Sequence, residues 1–457
     1  MFKNYRPISL LPSFSKILEK IVYKRLYSYF QHHELLYKAQ YGFRKKFSTE
    51  LALLDFKNKL IQQIHNKKQN LGIFLDLSKA FDTLQHDILL NKMKHYGIRG
   101  IPYNWFKSYL SDRRQYVHFQ NCNSEEKNID CGVPQGSVLG PLLFLIYMND
   151  LHNISNDGTY VLFADDTNII YTENDLNALE TKANNDLKKV GNWFNANKLS
   201  INTDKTKFIL FQTKARDQPS TISLVLNNMQ IKQAFSIKFL GITVQWNFSW
   251  DIHLNKIANK VSQINSVLSR IKKTLPKNIL EIIYKSLIEP HLNYGIMTWG
   301  CALKSHMKRL NILQKRSVRL INNSKYNSHT DPIFKTKNIL KIEDLFKLNC
   351  CKFYHKKLKG SLPFYHTEQL HTLAETNIVL QTTRQQNNIY IHPVKSQLDK
   401  QSINYIVGNI WNSLPKKIRE KSLCGLTTFS SAIKKYYLSK YQENCTIRNC
   451  NVCNYFN

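Results

Sequence analysis

The chain shows two patterns of hydrophobic positions over its first 250 residues. Continuous apolar runs at 71–77 and on both sides of Asp165 and Asp166 predict strands, since a strand buried on both faces lacks polar alternation. Apolar residues at steps of three and four predict helices. These helices are expected at about 13–30, up to about 65, within 84–109, at 142–151 and at 175–194. A further short strand, with Gly241 at its bend, is predicted at 237–244.

After Trp250 the pattern is helical only. An apolar stripe from Leu254 to Leu268 predicts one helix, and Pro276 is expected to start a second helix that Pro290 interrupts. A third helix is predicted at about 306–321. All three are rich in lysine and arginine, which form either a solvated face or a clamp on a duplex backbone. From about residue 322 polar loops alternate with short helices, and no chemistry is predicted there.

The predicted strands beside Asp165 and Asp166 form a β-hairpin with an acidic tip. Such a tip is often only a solvated turn, but Asp76 stands at the end of the strand at 71–77. Two strands that end in aspartates can converge on divalent cations, and hard cations such as Mg²⁺ take oxygen ligands. Two ions about 4 Å apart hold the attacking and leaving oxygens of a phosphoryl transfer. The pattern therefore predicts the chemistry of a polymerase.

Two loops add candidate nucleotide ligands. In the loop at 40–48 a glycine turn precedes three cations, of which Arg44 can pair bidentately with a triphosphate; a solvated basic face is the alternative. The loop at 132–141 holds three glycines and two prolines, so it cannot continue a helix or a central strand. It is either an ordinary loop or a backbone that approaches a nucleotide or primer closely, with the Gln135 amide as a donor.

The charge of the chain indicates its class of partner. With 65 Lys and Arg against 32 Asp and Glu, the 457 residues carry a net charge of +33. This surplus favours a polyanion, and the many Tyr and Phe rings can stack on bases. The basic composition of an AT-rich genome and an anionic membrane surface are the alternatives. The longest uncharged apolar run, 141–148, is too short to span a bilayer, and no signal-peptide core follows Met1. A soluble, intracellular protein without a membrane partner is expected.

Three of the nine cysteines cluster near the C-terminus, where Cys445, Cys450 and Cys453 are spaced C-x₄-C-x₂-C. Structural zinc sites take four ligands, so a fourth would come from elsewhere, such as Cys424. A zinc site and a frayed tail with free thiols both stay open.

Seven sequence blocks resemble the reverse transcriptase of non-LTR (LINE-type) retrotransposons, most like the jockey and X-element kind. The resemblance covers roughly residues 4–320, with a weaker match at 411–419. The blocks are Asn4-Tyr-Arg-Pro-Ile8, Gly42-Phe-Arg44, Leu75-Asp-Leu-Ser-Lys-Ala-Phe-Asp82, Gly132-Val-Pro-Gln-Gly-Ser137, Phe163-Ala-Asp-Asp166, Lys205-Thr206 and Phe239-Leu-Gly241. One block would be weak support, but seven in the family's order and spacing are specific.

The resemblance implies an α+β fold of the right-hand polymerase type, whose palm has a small antiparallel sheet. It assigns fingers to 1–70 and a palm with finger insertions to 71–245, which together form a reverse transcriptase domain at 1–245. A helical thumb follows at 246–325, and a mostly helical C-terminal region with the cysteine-containing tail at 326–457. The implied activity is RNA-directed DNA polymerisation, a nucleotidyl transfer to a primer 3′-hydroxyl with two Mg²⁺ ions, or with Mn²⁺.

The same resemblance implies a role for single residues. Asp76, Asp165 and Asp166 match the metal-binding carboxylates, and Lys205 matches the lysine that protonates the departing pyrophosphate. Four residues match nucleotide-binding positions: Arg44 for the triphosphate, Phe81 for exclusion of a ribose 2′-hydroxyl, and Gln135 and Gly136 for the loop on the nucleotide and primer side. The implied partners are an RNA template, a DNA primer, their duplex and dNTPs, with no prediction of the oligomeric state.

Full-length elements of this kind carry an endonuclease before the polymerase, and no such segment precedes the first block. This chain is therefore expected not to nick a genomic target. An inactive, truncated relic or a domesticated nucleic-acid-binding protein is the alternative function. A viral RNA-dependent RNA polymerase shares the acidic geometry, but Phe81 and the sequence Phe-Ala-Asp-Asp, in place of Gly-Asp-Asp, argue against it. Because the family acts on chromosomal DNA, the nucleus or the cytoplasm is the expected location.

Overall fold

The structure is a computed structural model that describes residues 8–212, 221–363, 370–375, 387–394 and 396–442. The chain divides into two compact units. The first comprises the residues up to Ala52 together with Lys67–Phe235, and the second comprises Leu53–Asn66 together with the residues from Ser236 onward.

The first unit combines helices with a six-stranded sheet. Its helices are α1 (Ser13–His32), the first turn of α2 (Thr49–His65), α3 (His86–His95), α4 (Gly100–Leu110), α5 (Gly140–Met148) and α6 (Leu176–Ala196). Its strands are β1 (Gln69–Leu75), β2 (Arg114–Gln115), β3 (His118–Phe119), β4 (Cys122–Asn123), β5 (Lys127–Asn128), β6 (Thr159–Phe163), β7 (Asp166–Glu173), β8 (Lys207–Phe211), β9 (Leu224–Leu226) and β10 (Met229–Gln233). The sheet has the order β6-β7-β1-β8-β10-β9, and only the β8–β10 pair is parallel. The short strands form two separate pairs, β2 with β5 and β3 with β4.

Strand β1 lies between β7 and β8, and its residues from Asn70 to Leu75 are buried. A strand covered on both faces excludes water from every side chain, which explains its continuous apolar sequence. The strand predicted at 71–77 is thus confirmed, although it ends two residues earlier. Asp76 is consequently the first residue after the strand.

Helix α1 confirms the helix predicted at 13–30, but much of its apolar stripe does not face the core. Four apolar side chains near its start are half exposed or more: Phe14, Ile17, Leu18 and Ile21. Glu19, in contrast, is buried, as are Leu26, Tyr27 and Phe30 further along the helix. The first half of α1 therefore turns a carboxylate toward the interior of the unit.

The single strand predicted at 237–244 is wrong, because this segment is a β-hairpin. Strands β11 (Ser236–Phe239) and β12 (Ile242–Gln245) pair antiparallel, with Phe239 opposite Ile242. The two residues between them, Leu240 and Gly241, have φ angles of 44° and 83°. Two-residue hairpin loops need positive φ angles, which leucine rarely adopts. Of the two loop residues, only Gly241 is therefore typical of a hairpin turn, and the sequence did not predict the turn.

The single helical stretch predicted within 84–109 is also divided. Helix α3 ends at His95 and α4 begins at Gly100. Gly97 and Gly100, with φ angles of 88° and 61°, form the turn between them. A positive φ cannot continue a right-handed helix, which explains the break.

Among its described residues, the second unit consists mainly of helices, together with the β11–β12 hairpin and an isolated β-bridge between Thr372 and Ile389. Besides the rest of α2 its helices are α7 (Asp251–Ile271), α8 (Lys277–Ile283), α9 (Glu289–Asn293), α10 (Ile296–Trp299), α11 (Lys304–Ile321), α12 (Asp331–Thr336), α13 (Ile342–Leu358), α14 (Ile403–Asn412), α15 (Lys416–Glu420) and α16 (Leu426–Ser439). A π-helical turn at Tyr284–Ile288 connects α8 to α9, so the backbone hydrogen bonding changes just before Pro290. Together the two units confirm the predicted α+β class with a helical C-terminal half. Among the described residues no helix is both long and apolar enough to cross a membrane.

His253 is expected to make the stability of the second unit depend on pH. Its ring is buried on α7 beside Trp299, and its Nδ1 accepts a hydrogen bond from the Thr243 amide at 3.3 Å. Burial and the positive charge of Lys256 lower the pKa of His253 to about 4. An unfolded histidine titrates near 6.5, so the unfolded state takes up the proton first as the pH falls. We expect this residue to remove about 2 kcal/mol of folding free energy between pH 7 and pH 5.

Denaturant unfolding of the full chain at pH 7 and pH 5 measures this loss as a change in the free energy of unfolding of the second unit. In His253→Gln the difference between pH 7 and pH 5 should shrink by the same amount, because glutamine does not titrate. Equal pH dependence in the two proteins would show that His253 is not held in its neutral form.

Candidate active site

The three predicted aspartates meet at one end of the sheet in the first unit. Asp76 directly follows β1, and Asp165 and Asp166 lie at the tip of the β6–β7 hairpin. Strand β1 pairs with β7 up to Leu75, which stands opposite Thr167. One further step in the same antiparallel register sets Asp76 beside Asp166.

These carboxylates form a centre of negative charge. Part of the Asp166 side chain reaches solvent, yet desolvation and the charges of Asp165 and Asp76 raise the pKa of its carboxyl group to about 6. Within the part of the chain that the structure describes, no three or more His, Cys, Asp and Glu side chains are already gathered into a metal cage. The three carboxylates are close enough to repel one another, and they offer only oxygen ligands. This donor set fits a hard divalent cation, which would relieve the repulsion.

Lys205 lies in the turn before β8, and this turn is fastened to the end of β1. The Asn202 amide donates to the carbonyl oxygen of Asp76 at 2.8 Å, and the Asp76 amide donates to Thr206 Oγ1 at 3.4 Å. Lys205 Nζ lies 3.8 Å from Asp76 Oδ2, and its side chain is 71% exposed. Because exposed ion pairs contribute little to stability, the ammonium group can move from Asp76 to a bound ligand at small cost.

Two residues of the loop at 40–48 hold the hairpin tip. Ala164 has a φ angle of 55°, which residues other than glycine rarely adopt. Gln40 is buried, and its Oε1 accepts hydrogen bonds from the amides of Ala164 (3.0 Å) and Gly42 (2.8 Å). A Cβ atom at Gly42 would stand 2.3 Å from the Ala164 nitrogen. Nothing in the local sequence indicated a role for Gln40.

Phe81 is held between two other rings. It stacks on Phe144 of α5, with ring centroids 4.4 Å apart, and it meets Phe43 edge-on at 6.1 Å. Its carbonyl oxygen accepts a hydrogen bond from the Val133 amide at 2.9 Å. The ring is only partly buried, so its open part forms a fixed apolar wall.

The loop at 132–141 is fastened to the residue after Phe81. Gln135 Nε2 donates to Asp82 Oδ1 at 2.7 Å. Gly132 has a φ angle of 84°, and a Cβ atom there would stand 2.7 Å from the Asp82 carbonyl oxygen. Gly136 has a φ angle of 117° and lies against the Ser9 backbone. Both glycines are therefore required by the backbone path, and the Gln135 amide is held by a carboxylate.

Arg44 belongs to the same loop as Gly42, and its guanidinium braces that loop. Nη1 donates to the carbonyl oxygens of Tyr37 (2.7 Å) and Gln40 (3.3 Å), and the group stacks over the Phe47 ring at 4.1 Å. These contacts fix the position of the guanidinium within its loop.

The candidate residues for metal and nucleotide all lie in the first unit. Over residues 2–244, more than half of its length, the chain matches the reverse transcriptase (RNA-dependent DNA polymerase) family. The chain belongs to this family. The predicted resemblance is thereby confirmed at the level of the family.

The chain is similar to polymerases of non-LTR retrotransposons from Drosophila melanogaster. It is 30% identical over 359 residues to the probable RNA-directed DNA polymerase from transposon BS, which covers 75% of this chain and 39% of that protein. The match to the RNA-directed DNA polymerase from mobile element jockey is 30% identical and covers 78% and 39%. The match to the probable RNA-directed DNA polymerase from transposon X-element is 32% identical and covers 70% and 35%. The chain thus spans less than two-fifths of the length of these relatives.

Among solved structures, an apo telomerase from Candida tropicalis matches this chain with a TM-score of 0.40 and 12% identity, over 77% of this chain and 60% of that one.

The cysteines of the predicted zinc site, Cys445, Cys450 and Cys453, lie outside the described residues. The further candidate ligand Cys424 is exposed.

Proposed function

We propose that this chain is an active RNA-directed DNA polymerase that adds deoxynucleotides to the 3′-hydroxyl of a primer. The observation that supports this best is the meeting of Asp76 with Asp165 and Asp166 at one end of the sheet. The proposed partners are an RNA template, a DNA primer, their duplex and dNTPs. The proposed place of action is the nucleus or the cytoplasm, where such templates occur.

Asp76, Asp165 and Asp166 are the residues that would hold two Mg²⁺ ions, or Mn²⁺ in their place. When bound, these ions would neutralise charge on the triphosphate and favour attack by the primer oxygen. The chain itself supplies fixed positions for the carboxylates. The turn at 199–206 holds the end of β1, and Gln40 holds the hairpin tip. Fixed positions matter because a misplacement of about 1 Å can lower a rate roughly 100-fold.

The other candidate residues have proposed roles around this centre. Lys205 would protonate the departing pyrophosphate, since its exposed ammonium group lies beside Asp76. Arg44 would bind phosphate oxygens of the triphosphate bidentately from its position in the loop at 40–48. The Phe81 ring would stand where a ribose 2′-hydroxyl would lie, and Gln135 and Gly136 would line the nucleotide side of their loop.

The second unit carries the proposed surface for the duplex backbone. Arg309 of α11 donates to the side chains of Asn255 and Asn259 on α7, which ties the two helices together. Their exposed cations are Lys256, Lys260, Arg270, Lys304, Lys308, Arg309, Lys315 and Arg316. Lysines and arginines in such a row neutralise phosphates and release counterions, so binding weakens as salt rises.

We propose the names fingers for 1–70, palm for 71–245, thumb for 246–325 and C-terminal region for 326–457. The compact units divide the chain elsewhere, because Leu53–Asn66 and the β11–β12 hairpin belong to the second unit.

Primer extension tests the proposed activity. The purified chain is incubated with a labelled DNA primer on an RNA template, dNTPs and Mg²⁺, and the products are sized. We expect products up to the template end, arrest where one dNTP is omitted, and no product after chelation of the metal. Fluorescence anisotropy of the same duplex, at low and high salt, reports binding separately. Tight binding without extension in either Mg²⁺ or Mn²⁺ would disprove the polymerase proposal.

Phe81→Ala is expected to weaken discrimination against ribonucleotides. Alanine removes the fixed wall while the neighbouring Phe43 and Phe144 stay in place, so the preference for a dNTP over the matching NTP should fall roughly tenfold or more. Single-nucleotide incorporation with each substrate measures this preference as a ratio of kcat/KM values. The matched control is Phe119→Ala, which removes a ring that is 67% exposed on β3. Unchanged discrimination in Phe81→Ala would contradict the role of this ring.

A further inference from the structure

Glu19 is a buried carboxylate that has no role in the proposed reaction as described above. It lies on α1 and is 1% exposed. Its Oε2 accepts hydrogen bonds from the amides of Val138 (2.6 Å) and Leu139 (3.3 Å), and its Oε1 accepts one from the Tyr109 hydroxyl (3.0 Å). Burial and the negative charge of Glu19 raise the pKa of Tyr109 well above its usual range, so the tyrosine stays a donor.

The two amides that Glu19 binds are the junction between the loop at 132–141 and α5. Leu139 is the N-cap residue of α5 and its own side chain makes no cap, while the amide of Gly140, the first residue of the helix, donates to Ser137 Oγ at 2.9 Å. The first amides of a helix lack partners within the helix and carry a partial positive charge. The Glu19 carboxylate accepts hydrogen bonds from two neighbouring amides, and its negative charge interacts favourably with the positive end of the helix dipole.

Gln135 and Gly136 lie between two groups that hold the loop, of which one is the Glu19 carboxylate and the other is the Asp82 carboxylate. On the other side the Gln135 side chain donates to Asp82, and the Gln135 carbonyl oxygen accepts from the Ser9 amide at 2.8 Å. Residues 135–137 are therefore held at both ends by acidic side chains. Loss of either contact would allow Gly136 to leave its present conformation with a φ angle of 117°, because glycine has many other conformations of similar energy.

We propose that Glu19 is a positioning residue that sets the nucleotide side of the loop at 132–141. The inference rests on the proposed polymerase function and adds to it a residue on α1 that touches neither nucleotide nor metal. A carboxylate that serves only to stabilise the unit would change the amount of folded protein. A carboxylate that positions the loop also changes how well the loop binds a dNTP.

The test compares Glu19→Gln with Asp186→Asn. Asp186 is a buried carboxylate of the same unit that accepts from the Tyr171 hydroxyl at 2.7 Å, far along the chain from the loop. We expect Glu19→Gln to raise the KM for dNTP roughly tenfold with little change in kcat, because second-layer partners of a site typically contribute 10- to 100-fold. Asp186→Asn should leave the KM unchanged, although it also loses stability. Should Glu19→Gln not fold, Glu19→Asp serves instead, since it keeps the charge but shortens the reach.

A double variant identifies the route of the effect. If Glu19 acts through the loop, Glu19→Gln should raise the KM much less in a Gln135→Ala background than in the wild type. Equal KM values in Glu19→Gln and the wild type, or equal rises in Glu19→Gln and Asp186→Asn, would overturn the proposal.

Amide hydrogen exchange of residues 132–141 gives a readout that needs no activity. Faster exchange in Glu19→Gln than in Asp186→Asn supports the anchoring role, and identical exchange overturns it. A wild-type chain that does not extend primers disproves the polymerase proposal, while the exchange result still decides whether Glu19 anchors the loop.

Discussion

Asp165→Asn is expected to lower primer extension by about 1,000-fold or more while duplex binding is kept. The change removes one of three converging carboxylates without altering the size of the side chain, and the electrostatic groups of such centres commonly contribute at least this much. Duplex binding should stay or tighten slightly, because a negative charge is lost near phosphates. Extension assays over several orders of magnitude in enzyme concentration, together with anisotropy, measure both quantities.

Asp157→Asn is the matched control for Asp165→Asn. Asp157 lies just before β6 and is exposed; its side chain accepts a hydrogen bond from the Ser155 hydroxyl and lies 3.8 Å from Lys189 Nζ. Its replacement should leave extension unchanged. An Asp165→Asn protein that extends primers as fast as this control would rule out the assignment of the catalytic centre.

Gly42→Ala is expected to produce the second-largest loss. The new Cβ would stand 2.3 Å from the Ala164 nitrogen, and neither partner is a flexible side chain that could move aside. The hairpin tip must shift, and it carries Asp165 and Asp166. We expect extension to fall roughly 100-fold, as for a misplacement of about 1 Å, and the unit to lose about 1–3 kcal/mol from overpacking.

Gly425→Ala is the control for an added methyl group. Apart from its own chain neighbours, no atom of the described residues lies within 4 Å of the position that its Cβ would take, at the start of α16. This variant should retain full extension. Thermal unfolding and single-turnover extension of both variants separate loss of fold from loss of chemistry; a Gly42→Ala protein with normal turnover would show that the tip tolerates displacement.

The sequence predicted those parts of the centre that depend on neighbouring residues. Asp76 was recognisable because an apolar run precedes it, and Asp165 and Asp166 because β-branched runs flank them. Strand β1 and the β6–β7 hairpin formed where those runs predicted them. Local patterns of this kind are written into the few residues on either side.

Partners that are distant in the chain were not predictable. Gln40 contacts Ala164 across 124 positions and Glu19 contacts Val138 across 119. A glutamine in a loop and a glutamate in a helix are ordinary in sequence, and only the fold brings them to backbone amides. The turn at Leu240 was not predicted for another reason, because leucine seldom has a positive φ angle and so does not indicate a hairpin turn.

The exposed start of α1 has a practical consequence for measurements on this protein. The exposed apolar side chains of Phe14, Ile17, Leu18 and Ile21 lie on the first half of α1 together with the exposed cations Lys20 and Lys24. An amphipathic surface of this kind adsorbs to plastic and chromatography resin and promotes self-association at high concentration. Loss of protein from solution by adsorption would lower the measured rate in dilute assays and would resemble weak catalysis. A carrier protein or mild detergent would keep the rate per molecule independent of dilution, and rates from different preparations could then be compared.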